Sequence, residues 1–242
     1  MSASSDPRDR LCVALDFSTR SEVIAAAWRF SPKVAWLKIG LEAFVAEGPG
    51  IVAEVAETGA RVFLDLKLHD IPRTVGRAAA AAARSGASMI NVHVSGGRAM
   101  LTAAREGVSG AEPRPRLIGV TLLTSLDSRA LADLPVAGTP EGIARRLAVL
   151  ARECGLDGVV CSPEDLPGIR EACGPAFLTV VPGIRFAGAD ADDQKRMASP
   201  RAAIERGADL LVVGRTVTRA PDPDAALDRV LAEIESGAMA RE

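Results

Sequence analysis

Eight short apolar segments recur along the 242-residue chain, and each is followed by a segment with helical periodicity or a helix-start signal. They have the length of β-strands and occupy residues 11–16, 34–39, 61–68, 88–94, 117–123, 158–161, 178–181 and 210–214. Runs such as the Leu-Leu-Val-Val of 210–213 are typical of strands that are buried on both faces of a parallel sheet. This eightfold alternation is the feature that most limits the possible folds.

The intervening segments predict helices over residues 19–30, 41–58, 73–85, 98–107 and 140–154, one that opens at 162–165, and a last one from about residue 224. Ser18 or Thr19 can cap the first of them, and the second is expected to break near residues 48–50, Gly-Pro-Gly. The alternative of an open, doubly wound sheet lacks support, since no Gly-x-Gly-x-x-Gly follows a strand and no Walker A motif occurs. We therefore predict a single TIM (β/α)8-barrel domain over residues 1–242, with residues 1–10 as a flexible tail.

The third strand contains charged residues, although a strand of such a barrel is expected to be buried. Its alternate residues form one apolar face, which comprises Val62, Leu64, Leu66 and Leu68. Asp65 and Lys67 lie on the opposite face, and Asp70 follows just before Ile71-Pro72, where the strand should end. An isolated Asp-x-Lys is usually an exposed ion pair of little energetic value. At the end of a barrel strand, however, buried charges are costly, and Asp-x-Lys-x-x-Asp predicts catalytic chemistry.

Other charged residues lie at the ends of the first two strands. Asp16 and Lys38 fall on the faces opposite to the apolar ones, as Asp65 and Lys67 do in the third strand. Active sites of these barrels lie at the carboxyl ends of the strands, so the four side chains are expected to converge in the barrel mouth. Four unrelated surface charges would not be expected to lie on corresponding faces of three strands.

The seventh and eighth strands end in residues that suit a phosphate group. Arg185 closes the sequence Pro-Gly-Ile-Arg, and Gly214 and Arg215 follow the eighth strand. Barrels commonly bind phosphate at these two positions with backbone N–H groups, a helix start and a cation. Gln194, at the end of a Gly- and Asp-rich loop of residues 186–194, could donate to the same phosphate. We interpret the acidic residues of that loop as solvated side chains rather than as metal ligands.

Composition excludes several other functions. The net charge of −2 and only eight aromatic residues argue against a nucleic-acid-binding surface. Only two histidines occur: His93 is interpreted as a structural residue at a strand end, and His69 is left unassigned, so a transition-metal site is not expected. The four cysteines lack a Cys-x-x-Cys spacing, the start lacks a signal peptide, and the Ala-rich run at 78–83 is too short to span a membrane. These observations predict reduced thiols and a cytoplasmic location.

Together, these motifs resemble those of the orotidine 5′-phosphate decarboxylase family over essentially the whole chain. The resemblance rests on Ala14-Leu15-Asp16, Leu37-Lys38-Ile39-Gly40, residues 65–72 (Asp-Leu-Lys-Leu-His-Asp-Ile-Pro), residues 121–125, Pro182-Gly183-Ile184-Arg185, Asp193-Gln194 and Gly214-Arg215. Asp-x-Lys-x-x-Asp alone is shared with related sugar-phosphate enzymes. The Ile-Pro continuation, the Pro-Gly-Ile-Arg turn and the Gly-Arg pair make the resemblance specific.

This resemblance implies the conversion of orotidine 5′-monophosphate to UMP and CO2, the last step of de novo pyrimidine synthesis, without cofactor or metal. It implies that Lys67 protonates the carbon that loses CO2, and that Lys38 and Asp65 complete the charged array. It also implies a homodimer with shared sites, in which Asp70 enters the site of the partner subunit.

The resemblance further implies a set of substrate-binding residues, which comprises Asp16, Lys38, Asp65, Ile71, Thr74, Thr124, Arg185, Gln194, Gly214 and Arg215. Asp16 would bind the ribose, Thr124 would lie beside the pyrimidine, and the last four would hold the phosphate. Two alternatives stay open at this point. One is an Mg²⁺-dependent sugar-phosphate decarboxylase or synthase of the same superfamily; the other is a non-catalytic nucleotide sensor, which would have no reason to keep costly buried charges.

Overall fold

The chain folds into eight strands, seen here in a computed structural model that describes residues 6–133, 135–186 and 196–240. The strands are β1 Leu11–Ala14, β2 Trp36–Gly40, β3 Arg61–Leu68, β4 Met89–His93, β5 Arg116–Val120, β6 Gly158–Val160, β7 Leu178–Val181 and β8 Leu210–Val213. All pairs are parallel, and β1 pairs with both β2 and β8, so the sheet closes in the order of the sequence. Closure leaves the sheet without a free edge. The predicted TIM barrel is confirmed.

Helices surround this barrel and connect its strands. They are α1 Arg20–Phe30, α2 Leu41–Glu47, α3 Gly50–Ala56, α4 Pro72–Ala83, α5 Gly97–Ser109, α6 Ser128–Leu131, α7 Pro140–Glu153, α8 Leu166–Cys173, α9 Pro200–Glu205, α10 Arg215–Thr218 and α11 Pro223–Met239. Thr19 caps α1 by accepting a hydrogen bond from the Glu22 N–H at 3.4 Å. The predicted break after α2 is confirmed, because Gly48 adopts a φ of 72°, a left-handed conformation that favours glycine.

Two apolar cores follow from the period of two along each strand. Residues such as Val13, Leu37 and Leu64 pack outward against the helices in the larger core. The smaller core fills the barrel and consists of buried strand residues that point inward: Cys12, Ala14, Trp36, Phe63, Met89, Ile118, Val120, Val160, Val180, Leu210 and Val212. This inner core fills the barrel below the polar residues at the carboxyl ends of the strands, which leaves those residues at the mouth of the barrel.

The amino-terminal residues differ from the predicted flexible tail. Pro7–Arg10 forms a short 3₁₀ helix that Asp6 caps, and Arg10 is buried, with its Nη2 donating a hydrogen bond to the Ala208 carbonyl at 2.7 Å. Arg10 directly precedes β1, whose first residue pairs with β8. This pairing brings the Arg10 guanidinium close to Ala208, which lies just before β8. Residues 1–5 lie outside the described residues.

Two further predictions concern cysteines and membranes. Cys12, Cys154, Cys161 and Cys173 are all free thiols, as predicted, and three of them are buried. In the three ranges that the structure describes, no helix combines the length and the apolar character needed to cross a membrane.

Candidate active site

A cavity of about 290 Å³ opens at the carboxyl ends of the strands. Its lining comprises Ala14, Asp16, Lys38, Phe63, Asp65, Lys67, Leu123, Thr124, Ser125, Val160, Pro182, Gly183, Arg185, Val212, Gly214 and Arg215. Eight residues expected to form the site are among them: Asp16, Lys38, Asp65, Lys67, Thr124, Arg185, Gly214 and Arg215. The structure thus brings together side chains from strand ends all around the barrel, in the position where barrel enzymes hold their substrates.

Four alternating charges form a chain on one side of the cavity. The Lys67 Nζ lies 2.6 Å from Asp65 Oδ1, the Lys38 Nζ lies 3.4 Å from Asp65 Oδ2, and the Lys38 Nζ lies 3.0 Å from Asp16 Oδ1. Asp65 and Lys38 are nearly buried, whereas the Lys67 side chain is 30% exposed toward the cavity. Fixed charges in such a partly desolvated site interact more strongly than they would in water.

The backbone of β3 is irregular where it presents Lys67. Leu64 pairs with Ile90 and Leu68 pairs with Val92, so four residues of β3 advance against two residues of β4. Lys67 lies within this bulge and adopts a φ of 51°, which is unusual for a residue other than glycine. Such a conformation costs about 1–3 kcal/mol and is found preferentially at functional sites. The bulge directs the Lys67 side chain toward the cavity.

Asn91 of β4 supports both members of the central ion pair. Its Nδ2 donates to Asp65 Oδ1 at 2.6 Å, and its Oδ1 accepts the Lys67 N–H at 2.7 Å. Asn91 is fully buried, so its amide holds the Asp65 carboxylate and the strained Lys67 backbone in fixed positions. The sequence pattern places Asn91 on the polar face of its strand but does not assign it to the site. The signal that could have found it is a buried amide on the strand next to Asp65.

Electrostatics keep the pairs ionised despite their burial. Burial alone would raise the pKa of Asp65, but the ammonium groups of Lys38 and Lys67, together with the hydrogen bonds from Lys67 and Asn91, lower that pKa below its ordinary value. Burial likewise would lower the pKa of Lys38, and the carboxylates of Asp65 and Asp16 outweigh this effect and raise it. Asp65 and Lys38 are therefore both charged near neutral pH.

We expect an Asp65→Asn variant to lose stability less steeply than the wild type as the pH falls below about 4, near the pKa of an unfolded aspartate. The folded-state pKa of Asp65 is lowered, so the stabilisation is present above the unfolded value and is lost as the pH falls through the folded one. Urea unfolding between pH 7 and pH 2 measures the difference, with the exposed Asp133→Asn as a control. An equal or steeper loss in Asp65→Asn would contradict the expectation.

The other side of the cavity is rich in cations and small residues. Arg185, just beyond β7, donates from Nη1 to the Thr216 Oγ1 at 3.1 Å and to the Ile184 carbonyl at 3.0 Å. Thr216 in turn donates its hydroxyl to the Ile184 carbonyl at 2.8 Å. Gly214 and Arg215 line the cavity beside them. This arrangement suits an anion, and Thr216 is a member that no sequence motif singled out.

Three predicted site residues lie elsewhere in the single chain. Asp70, Ile71 and Thr74 are exposed at the start of α4, beyond the cavity lining. The Asp70 carboxylate accepts the Ile71 N–H at 2.6 Å, and Ile71 is 67% exposed. Gln194 lies outside the described residues, as does most of loop 186–194.

The two histidines lie against each other near Lys67, with ring centroids 5.4 Å apart. Burial lowers the pKa of His93, and the neighbouring His69 and Lys67 lower it further, so His93 is neutral near pH 7. Among the residues that the structure describes, no group of three or more His, Cys, Asp or Glu side chains is arranged to hold a metal ion.

Comparisons with known sequences place nearly the whole chain within one family. The profile of a family described as "Orotidine 5'-phosphate decarboxylase / HUMPS family" matches residues 9–230. A relative named orotidine 5′-phosphate decarboxylase from Nitrosococcus oceani is 45% identical over 229 residues, which are 95% of this chain and 99% of that protein. A relative with the same name from Anaeromyxobacter sp. strain K is 50% identical over 228 residues, 94% of this chain and 99% of that protein.

A solved structure agrees with these relatives. The crystal structure of orotidine 5′-phosphate decarboxylase from Lactobacillus acidophilus is similar with a TM-score of 0.80 and 33% identity, and the match covers 93% of this chain and 99% of that chain. The similarity thus extends over nearly the whole chain. The chain belongs to the orotidine 5′-phosphate decarboxylase / HUMPS family.

Proposed function

We propose that this protein decarboxylates orotidine 5′-monophosphate to UMP and CO2 in pyrimidine biosynthesis, with Lys67 as the proton donor. The protein is then a carbon–carbon lyase, in keeping with the names of its relatives. One observation carries the proposal: a chain of alternating charges, centred on the buried Asp65 and Lys38, faces a cationic side across one small cavity. The side with paired charges can accommodate the ring of a nucleotide, and the cationic side can accommodate its phosphate.

The reaction needs electrostatic stabilisation rather than covalent catalysis. When the bond between the ring carbon and the carboxylate breaks, the electron pair stays on the carbon, which has no adjacent electron sink. The Lys67 ammonium is held 2.6 Å from Asp65 and can stabilise this negative charge without reorganising solvent. The carbon then takes a proton from Lys67 Nζ, which leaves UMP and a neutral amine that solvent reprotonates.

Asp65 has two roles in this proposal. It fixes the ammonium groups of Lys38 and Lys67 on either side of itself. Its negative charge also lies near the expected position of the substrate carboxylate and disfavours the bound ground state relative to the state in which CO2 has left. Lys38, which contacts both Asp65 and Asp16, links this array to the residue proposed for the ribose.

The remaining assignments place the substrate across the cavity. We assign Asp16 to the ribose hydroxyls, Thr124 to the pyrimidine, and Arg185, Gly214 and Arg215 to the phosphate. Gln194 is assigned to the phosphate from the sequence alone. Phosphate binding far from the ring can be used in the chemical step, because it holds the carboxylate against Asp65.

We also propose a homodimer whose sites are completed across the interface. Asp70, Ile71 and Thr74 are exposed just after the carboxyl end of β3, as expected for residues that reach into a neighbouring site. Large apolar side chains are exposed at the ends of the adjacent strands β2 and β3, namely Leu41 and Val45 of α2 as well as Ile71. Exposed apolar residues of this kind often mark an interface. We place the protein in the cytoplasm.

The test is conversion of orotidine 5′-monophosphate by the purified protein in excess EDTA, followed by ultraviolet absorbance. We expect conversion to UMP at an undiminished rate, because the proposed residues need no metal or cofactor. Protein that is folded but inactive in EDTA, and that acts on sugar phosphates once Mg²⁺ is added, would replace the proposal with the alternative superfamily reaction.

Replacing Arg215 with alanine should mainly raise KM for orotidine 5′-monophosphate, by about 10–100-fold, the range for one hydrogen bond to a charged group. The expected result follows because Arg215 lines the side proposed for the phosphate, whereas Lys67 and Asp65 are proposed to act on the ring. Steady-state kinetics measures the change, with the exposed Arg219→Ala at the end of the same helix as the control. An unchanged KM for Arg215→Ala would count against its phosphate role.

A further inference from the structure

A buried ion pair lies beside the phosphate side of the cavity and takes no part in the proposed chemistry. The Arg196 Nη1 donates to Asp165 Oδ1 at 2.8 Å, and the two side chains are 4% and 0% exposed. The second oxygen of Asp165 accepts the Ser162 N–H at 2.9 Å, just beyond the end of β6. The pair therefore ties residue 196 to the carboxyl end of a barrel strand.

This pair is difficult to explain by stability alone. Desolvating two charges costs several kcal/mol, which a well-packed apolar pair would avoid. Burial raises the pKa of Asp165 even with Arg196 beside it, so the pair does not fully recover that cost. In addition, the Arg196 Nε and Nη2 have no hydrogen-bond partner among the described residues, although they are buried. A costly ion pair of this kind is better explained if its role is to fix the position of residue 196 relative to β6.

Hydrogen bonds connect the pair to Arg185 through a short segment, residues 196–199. Two residues after Arg196, Ala198 forms a parallel bridge with Ile184. The carbonyl of Ala198 accepts the Arg185 N–H at 3.1 Å. The Arg185 guanidinium then reaches Thr216 of α10, which follows β8. The path thus runs from the end of β6, through residues 196–199, to the cation proposed for the phosphate.

The segment is also fixed at its far end, so that Arg196 controls only its beginning. Ser199 caps α9 by accepting the Ala202 N–H at 3.2 Å. Between Arg196 and this cap, the backbone contact with Arg185 is made by a single residue, Ala198. Loss of the Arg196 anchor would free the segment to shift and would remove the acceptor that orients the Arg185 backbone.

We propose that Arg196 and Asp165 form a positioning pair that sets Arg185 for phosphate recognition. This inference rests on the proposed phosphate role of Arg185. Neither member of the pair belongs to the cavity lining, and both act through Ala198. The pair should therefore affect the affinity for the phosphate of a nucleotide and leave the affinity for its nucleoside part unchanged.

The test compares binding of UMP and uridine by calorimetry. Arg196→Met alone would leave the Asp165 carboxylate buried and unpaired and could prevent folding, so the double variant Asp165→Asn/Arg196→Met is used. The asparagine amide of this variant keeps an acceptor for the Ser162 N–H. We expect Kd for UMP to rise at least about tenfold, the loss of one well-oriented hydrogen bond to a charged group, with Kd for uridine unchanged.

A partly exposed ion pair at the opposite end of the same strand serves as a control. Asp157 precedes β6, pairs with Arg114 at 2.7 Å and accepts the Leu117 N–H at 2.7 Å, so Asp157→Asn/Arg114→Met removes an analogous pair away from the cavity. This control should lower the melting temperature and leave both Kd values unchanged.

Three outcomes would overturn the inference. They are a double variant of Asp165 and Arg196 that binds UMP as the wild type does, one that loses UMP and uridine affinity by the same factor, and a control variant with the same selective loss of UMP. The proposed function is tested separately, by conversion of orotidine 5′-monophosphate by the wild type. A wild type that converts the substrate, with an unaffected double variant, would reject the positioning pair alone.

Discussion

Replacing Lys67 with alanine is expected to lower kcat for orotidine 5′-monophosphate by at least about 10⁴-fold, the product of modest losses in proton donation and charge stabilisation. Both contributions come from one ammonium group, because Lys67 is more exposed to the cavity than Lys38, the other cation of the array. Single-turnover absorbance measurements with enzyme in excess over substrate detect so slow a reaction.

Nucleotide binding should survive this substitution. Asp65 keeps Lys38 at 3.4 Å and the Asn91 amide at 2.6 Å, so the carboxylate remains paired when Lys67 is removed. The phosphate side, with Arg185 and Arg215, is untouched. We therefore expect Kd for UMP to change by less than about threefold, because the groups proposed to bind the phosphate and the ribose are all kept. The partly exposed Lys33→Ala, which loses the pairing with Asp228 and Asp224, is the control for the general effect of removing a lysine.

The unusual backbone of Lys67 allows the effect of losing its side chain to be distinguished from an effect on stability. Alanine keeps the Cβ and so keeps the strain of a φ of 51°, whereas Lys67→Gly removes it. The glycine variant should be as inactive as the alanine variant and more stable than it, by about 1 kcal/mol in urea unfolding. A folded Lys67→Ala protein that retains a hundredth of the wild-type rate, or that no longer binds UMP, would contradict the proposed role.

The inward direction of the charged residues was predictable from the sequence because it depends only on the period of two along a strand. Phe63 marks the inner face of β3, and Asp65 follows it two residues later on the same face. The alternation of inward and outward side chains thus holds as far as Asp65. It cannot describe Lys67 within the bulge, because the extra residues depend on how β3 pairs with β4 rather than on the local pattern.

Contacts between distant residues are harder to foresee. The sequence predicts a flexible tail over residues 1–10, yet closure of the barrel by β1 and β8 provides a carbonyl for the Arg10 guanidinium. Asp165 and Arg196 are 31 residues apart, and their pairing depends on the three-dimensional neighbourhood of β6 and β7. Asn91 presents the same difficulty, since its role depends on the register of β4 against β3. The pairing of neighbouring strands around the barrel, and not local sequence, selects these partners.

Mixing Lys67→Ala with Asp70→Ala should restore activity to about one quarter of the wild-type value, if protomers exchange freely in a symmetric dimer. In the proposed dimer, each site takes Lys67 from one chain and Asp70 from the partner. A mixed dimer then has one site with both residues intact and one site with neither. Half of the dimers are mixed at equal concentrations, so one site in four is complete. Each variant alone should have far less activity.

The control is a mixture of Lys67→Ala with Asp65→Asn. Asp65 and Lys67 form an ion pair within one chain, so no mixed dimer of these two variants contains an intact site, and no activity should return. Recovery only when Asp70 is the second substituted residue would assign it to the partner's site, in keeping with its exposure at the start of α4. If the Asp70 mixture stays as inactive as this control while size-exclusion chromatography shows dimers that exchange, Asp70 acts within its own chain and the shared-site proposal is wrong.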